Sequence, residues 1–457
     1  MKRLVRRGLA PGYDVTTAMS RAAVREQALH TRPCTKISPR TPSTELGIEI
    51  GFRRARRRLY ASLEDVVLVV APPRRGKTAM LSNHVIDAPG ACFVTSTKPD
   101  IVGHTIISRS DRPVFILNPD QLGGFTSTLR WSPIVGCEDP DTALLRAGYL
   151  LSGGAAGGTS DRQFWEGNAV RALRCLLRAA AHGGHDMRDL AGWAQNFQDR
   201  APLDVLAKHA PTWEAELRQV LDLPPKTRDS ISATLTLTLS FMAIPALADA
   251  VCPAAGEQFD VDAFLHSRGT AYLLGTHREH GALGPLFAAL TGALYERAKV
   301  LAADRPHGRL DPPLLGVLDE AASICRVPLE QWTSDSGGRG IPLVIAVQSF
   351  DQLDKVWGEE SARIIRTNAG VTVIFGGLAV SRHLEELSDL VGDRTERDRS
   401  HTKGGGSVSS RRVPVLPIAE LRELPPLTVL VLHRSTGAVL ARVRPVWTRR
   451  DYKRAKP

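Results

Sequence analysis

Two short segments about 240 residues apart hold side chains whose types and spacing suit phosphate chemistry. The first is Val66-Val-Leu-Val-Val-Ala-Pro-Pro-Arg-Arg-Gly-Lys-Thr-Ala-Met, in which Gly76, Lys77 and Thr78 stand where an apolar strand gives way to a helix. Gly76 lets the backbone turn so that amide N–H groups face phosphate oxygens, Lys77 brings a point charge to the β and γ positions, and Thr78 offers a hydroxyl to Mg²⁺. The expected cradle is Ala71, Pro72, Pro73, Arg74, Arg75, Gly76, Lys77, Thr78 and Ala79, with the positive end of the following helix beneath it. Ala71 departs from the usual Gly, a change that a negative local φ tolerates. The second segment, Leu314-Leu-Gly-Val-Leu-Asp-Glu320, is an apolar strand ending in two carboxylates. Alternation along a strand sends neighbouring side chains to opposite faces, so the pair can divide its work. Asp319 is expected to hold Mg²⁺ through water, and Glu320 to polarise the water that attacks the γ-phosphate of ATP. Gln348, at the tip of a later strand, is placed to sense that phosphate. Arg339, flanked by Gly337, Gly338 and Gly340, is read as a loop cation that reaches the nucleotide of a neighbouring subunit.

Such residues need a scaffold that brings strand ends together. Short apolar runs recur at Val66–Val70, Cys92–Thr95, Val114–Leu117, Ala271–Leu274, Leu314–Leu318, Leu343–Val347 and Val371–Phe375, with helical stretches between them. Runs of this kind suit a mainly parallel sheet covered on both faces, an α/β core. Between 139 and 255 the strand signal fades and Ala- and Leu-rich segments take helical spacing, so an all-helical subdomain inserted in the core is expected. Thr234–Ser240 alternates like a strand, but its surroundings read as helix. Gly153–Gly158 and the stretch from Lys403 read as surface loops. The resulting division is a basic arm over 1–60, a nucleotide-binding core over 61–138 and 256–440, the insertion over 139–255, and a basic tail over 441–457.

Charge is distributed unevenly. Residues 1–60 carry 14 Lys/Arg against 4 Asp/Glu and residues 441–457 carry 7 against 1, so the core between them is net acidic although the whole chain is +11. The run Arg53, Arg54, Arg56, Arg57 and Arg58 is suited to DNA phosphates or anionic lipid headgroups, or is simply a solvated arm. No apolar run of about 18 residues is present, so no membrane span is expected. Six scattered cysteines without a CxxC pair read as reduced thiols of a cytoplasmic protein.

The chain resembles the TraG/TraD family of conjugative coupling proteins, in its actinobacterial branch. The resemblance rests on Ala71-Pro-Pro-Arg-Arg-Gly-Lys-Thr78, Thr95-Ser-Thr-Lys98, Trp131-Ser-Pro133, Leu318-Asp-Glu-Ala-Ala322, Gly338-Arg-Gly340 and Val347-Gln-Ser349 with Gln352-Leu353. It implies a RecA-like P-loop NTPase core with its helical insertion, assembled as a homo-hexamer that couples ATP hydrolysis to DNA movement at a type IV secretion channel. The partners it implies are DNA, a relaxase or other DNA-processing protein, and the channel. Membrane helices usually precede the motor in that family and none is expected here, which leaves docking on a partner, contact of the basic arm with the inner leaflet, or a truncated reading frame. Trp165 and Trp193 in the insertion are candidate contact residues, although packing in a helical core is the simpler reading of both. Other readings compete: a chromosome-segregation translocase of the FtsK/HerA type, a secretion motor whose cargo is protein, and an adaptor that binds nucleotide without hydrolysing it.

Overall fold

The computed structural model describes residues 8–53, 57–154, 161–276, 283–402 and 405–455, with side chains described except at 154, 161–166, 397–402, 405–409 and 455. An 11-stranded sheet runs through the molecule. Its strands are β1 (Gly47–Phe52), β2 (Arg58–Ser62), β3 (Val66–Val70), β4 (Cys92–Ser96), β5 (Val114–Leu117), β6 (Thr270–Leu274), β7 (Leu315–Asp319), β8 (Leu343–Val347) and β9 (Ala369–Phe375). Beyond a separate hairpin of β10 (Asp393–Thr402) and β11 (Gly405–Pro414), the sheet is completed by β12 (Thr428–His433) and β13 (Val439–Arg442). The spatial order is β2-β1-β13-β12-β9-β3-β8-β7-β4-β6-β5. Every pairing from β9 to β5 is parallel and every pairing from β2 to β9 is antiparallel.

The seven parallel strands are the seven apolar runs of the sequence. Val66, Leu68 and Val70 of β3 join a core shared with the helical region, whereas Val67, Val69 and Ala71 pack into a second core on the other face. Burial of both faces explains why these strands read as continuous apolar runs rather than as alternation. Between β5 and β6 the chain is helical, from Pro140–Gly154 through Val261–Ser267, so the helices continue past the expected boundary at 255. Thr234–Thr238 lies in the helix Pro225–Thr238. The helix starting at Pro140 extends through Gly153 and Gly154, so the expected loop begins later, and its residues 155–158 lie outside the described residues.

Three expectations are corrected. Residues 1–60 are not a simple arm: Gly12–Met19 and Arg21–Thr31 are helices, and β1 and most of β2 fall within or against that span. A buried ion pair from Arg32 Nε to Asp311 Oδ1 (2.7 Å), with Cys34 N–H donating to Asp311 Oδ2 (2.7 Å), ties this segment to the loop before β7. Arg54 and Arg56 of the cationic run lie outside the described residues. The C-terminal tail is likewise built in, since β13 pairs with β12 and Arg449 makes a bidentate pair with Asp87 at 2.7 Å through each nitrogen. Finally, the stretch from Lys403 belongs to the β10–β11 hairpin rather than to a loop, with Lys403 and Gly404 themselves outside the described residues.

Candidate functional site

The phosphate loop leaves β3 at the centre of the parallel sheet. The Ala71 N–H donates to the Val347 carbonyl (3.0 Å), which extends the β3–β8 ladder one residue beyond the strand. Ala71 is fully buried and its φ is not positive, so the methyl group that departs from the usual glycine is accommodated. Arg74 and Gly76 then turn the chain with φ of 62° and 104°. The φ of Gly76 requires glycine, and a Cβ there would also stand 2.5 Å from Leu427 Cδ2, so that side chain would have to shift. The helix Lys77–Asp87 begins at once, with no side-chain cap and no acidic residue in its first turn. Its first N–H groups are left for a ligand.

Asp319 ends β7 level with Ala346 of β8, and Leu318 faces Thr95 of β4. The carboxylates therefore stand beside the phosphate loop, at the C-terminal edge of the sheet. Lys77 Nζ lies 3.0 Å from Asp319 Oδ1 and is also paired with Glu320 Oε1. Glu320 sits in the left-handed region (φ 55°, ψ 37°), costly backbone for a non-glycine residue and a kind of strain that collects at functional sites. Gln348 Nε2 donates to Glu320 Oε2 (3.0 Å), while the Gln352 side chain accepts from the Gln348 backbone N–H (2.9 Å). Lys77, Asp319, Glu320 and Gln348 thus form one hydrogen-bonded cluster, with Thr78 next in the helix after Lys77.

One ammonium serves two carboxylates here. Burial alone would lower the Lys77 pKa, but Asp319 and Glu320 outweigh it and hold the ammonium above its ordinary range. Burial raises the Asp319 pKa, offset only in part by Lys77 and increased further by Glu320. The cluster carries surplus negative charge, which is the environment a divalent cation relieves.

Sequence reasoning assigned no role to Ser96, whose hydroxyl donates to Asp319 Oδ2 (3.0 Å), or to Thr95, whose hydroxyl donates to the Asp319 carbonyl (3.1 Å). The signal was available, because both end a strand next to the acidic one. Leu427 and Gln352 were missed as supports because their roles depend on tertiary contact. Arg339 is not brought to this cluster. Its loop precedes β8, its carbonyl accepts from Leu310 N–H (3.0 Å), and Gly337 packs on the Glu64 carbonyl just before β3. That is the N-terminal edge of the sheet, separated from Gln348 by the length of β8, on the order of 15 Å. The Arg339 guanidinium donates to Asp335 Oδ1 (3.1 Å). Within one chain Arg339 and Gln348 therefore stand at opposite edges of the sheet. Trp193 is buried in the helical core against His185, at 4.8 Å between ring centroids, which removes it as a surface contact; the Trp165 side chain lies outside those described.

A phosphate loop on the central strand of a parallel sheet, with paired carboxylates ending a strand two places away, defines a P-loop nucleotide-binding protein of the RecA-like class. Residues 313–426 match the family model described as the TraM recognition site of TraD and TraG. No curated protein sequence matches significantly. Among solved structures, the chain is similar to the bacterial conjugative coupling protein TrwBdeltaN70 in its unbound monoclinic form, with TM-score 0.61 and 20% identity over 83% of this chain and 85% of that one. It is also similar to the plasmid coupling protein TrwB in complex with ADP and Mg²⁺ (TM-score 0.61, 20% identity, 84% and 85% covered). The complex of TrwB with the non-hydrolysable ATP analogue ADPNP gives TM-score 0.60 and 20% identity, with 83% and 86% covered. At this identity the likeness establishes the shared fold.

Proposed function

We propose that the chain is an ATP-hydrolysing motor that couples a DNA or nucleoprotein substrate to a type IV secretion or conjugation channel. The observation that carries the enzymatic part is the cluster in which Lys77, Asp319, Glu320 and Gln348 meet beside a glycine turn and an uncapped helix start. The residues fit Mg²⁺ and ATP: Lys77 and the loop amides for the phosphates, Thr78 and Asp319 for the cation. Mg²⁺-ATP supplies the γ-phosphoryl group and the positive charge that the two carboxylates lack. With ATP bound, Lys77 would contact phosphate in place of Glu320, leaving Glu320 to accept a proton from water. Gln348, bonded to Glu320 and carried at the tip of β8, senses whether that carboxylate is engaged. The coupling role is supported by the match of residues 313–426 to the TraD and TraG family model and by the TrwB-like fold, TrwB being described as a conjugative coupling protein. Its partners are DNA, a relaxosome or other DNA-processing protein, and the channel; a homo-hexamer places each nucleotide between subunits.

Glu320→Gln is expected to retain ATP binding and lose at least about 10²-fold in turnover, the usual range for removal of a general base. Lys77→Ala is expected to lose both. Phosphate release measured beside equilibrium ATP binding separates the cases. Wild-type protein that binds ATP but releases no phosphate, with or without DNA, would instead be a nucleotide-dependent adaptor.

A further inference from the structure

Far from the nucleotide site, the helix Gly12–Met19, the segment 42–44 and the start of β2 flank a half-open pocket of about 1090 Å³. Among the described residues, Arg21, Arg53, Arg57 and Arg58 line it and no Asp or Glu does. The Thr16, Ser43, Thr44 and Tyr60 side chains belong to the same wall, while Val15 and Leu59 give it an apolar part. Arg58 is neutralised from the sheet by Glu49 (3.0 Å). Arg21, Arg53 and Arg57 have no carboxylate partner among the described residues. Arg21 donates to the Pro39 carbonyl (3.3 Å) and Arg53 to the Ala10 carbonyl (3.1 Å), bonds that orient the guanidinium groups and leave their charge uncompensated. The buried Arg53 Nε has no hydrogen-bond partner among the described residues, and burial holds that guanidinium below its ordinary range. Converging cations without counter-charge are costly to maintain unless an anion completes them.

We propose that this cavity binds an organic phosphate of headgroup size, with the phosphate held by Arg21, Arg53 and Arg57 and the carbon portion against Val15 and Leu59. Inorganic phosphate would leave most of the space unfilled, since about 300–1,000 Å³ already suits a drug-sized ligand. A nucleic-acid strand needs a groove that runs on along its backbone, whereas the described lining of this half-open pocket is confined to residues 12–21, 42–44 and 53–60. In sheet order β2 stands five places from β3, roughly 24 Å at the usual strand spacing, so the site is separate from the phosphate loop. The two natural sources of such a ligand are a phospholipid headgroup at a membrane surface and a free phosphodiester.

The test needs no nucleotide, so its outcome is independent of the motor assignment. Wild-type protein and an Arg21→Gln/Arg57→Gln variant, whose two changes fall at exposed side chains, are titrated with glycerophosphoglycerol by calorimetry and sedimented with phosphatidylcholine vesicles with and without phosphatidylglycerol. Wild type should bind the headgroup at one site, with affinity at least about tenfold lower in the variant. Parallel loss of vesicle binding assigns the ligand to a lipid surface; headgroup binding without vesicle binding assigns it to a free phosphodiester. Arg57→Glu provides the same comparison if the double variant does not fold. Absence of headgroup binding by wild type, equal affinity in the variants, or full displacement by a stoichiometric single-stranded oligonucleotide would overturn the proposal.

Discussion

Asp319 carries a burial cost that its partners do not fully offset, and this makes the nucleotide-free cluster a measurable liability. Because its folded pKa is raised, the protonated acid is favoured in the folded state. The associated stability is complete below the unfolded value of about 4 and is lost as pH rises through the folded value. Asp319→Asn removes the titration. At pH 7 without nucleotide, the variant should unfold at higher urea concentration than wild type, with the difference shrinking toward pH 4. With Mg²⁺-ATP the order should reverse, because only the carboxylate can help to hold the cation. Urea titrations at several pH values check both halves; a wild-type midpoint above that of Asp319→Asn at pH 7 without ligand would mean that Lys77 compensates Asp319 fully. Sequence spacing identified Asp319 and Glu320 as a pair, yet their competition for one lysine was not legible there. It arises from strand neighbours that lie more than 200 positions apart along the chain.

At the scale of elements, the phosphate loop depends on a strand that the sequence reading passed over. Leu427 leads into β12 and covers Gly76, while its N–H donates to the Arg75 carbonyl (3.4 Å). Gly76→Ala brings a strained φ as well as contact with Leu427, a combined penalty of about 2 kcal/mol or more. It should weaken ATP binding at least about tenfold, measured by equilibrium titration, and Leu427→Ala in the same chain should recover only the steric part. The parallel strands were legible because burial on both faces leaves an unbroken apolar run. The strands β1 and β2 were not, because their short alternation is interrupted by the arginine run, and β10 and β11 carry polar residues on both faces and so give no periodic signal. Arg339 shows the limit of motif context: glycine neighbours identified a loop but not the edge of the sheet on which it stands. Since that edge is remote from the cluster and Asp335 holds the guanidinium, Arg339→Ala is expected to hydrolyse ATP within about twofold of wild type. A loss of the roughly 10³-fold size reported for arginine fingers, restored by mixing with Lys77→Ala protein, would show that a neighbouring subunit presents this edge to the nucleotide.

At the scale of the whole molecule, the two cationic termini differ from free arms in how much of their charge is available. Arg449 is committed to Asp87 and Asp451, and its pKa is raised by those bonds despite burial. Arg32 is committed to Asp311. Removing residues 1–60 would strip β1 and part of β2 from the sheet edge, expose the antiparallel strand β13, and leave Asp311 buried without its cation, so loss of DNA binding in such a truncation would report unfolding. The informative change is smaller. Residues 2–7 include Lys2, Arg3, Arg6 and Arg7 and precede the first helix. If these four cations meet duplex phosphates, deleting them should make the slope of log affinity against log salt shallower by up to about 3.6, at roughly 0.9 for each contact, while the urea midpoint stays unchanged. Fluorescence anisotropy with one duplex at several salt concentrations supplies the slope. An unchanged slope with an unchanged midpoint would move the DNA contact from this terminus to the acidic core, where binding would have to come from local clusters against the net charge.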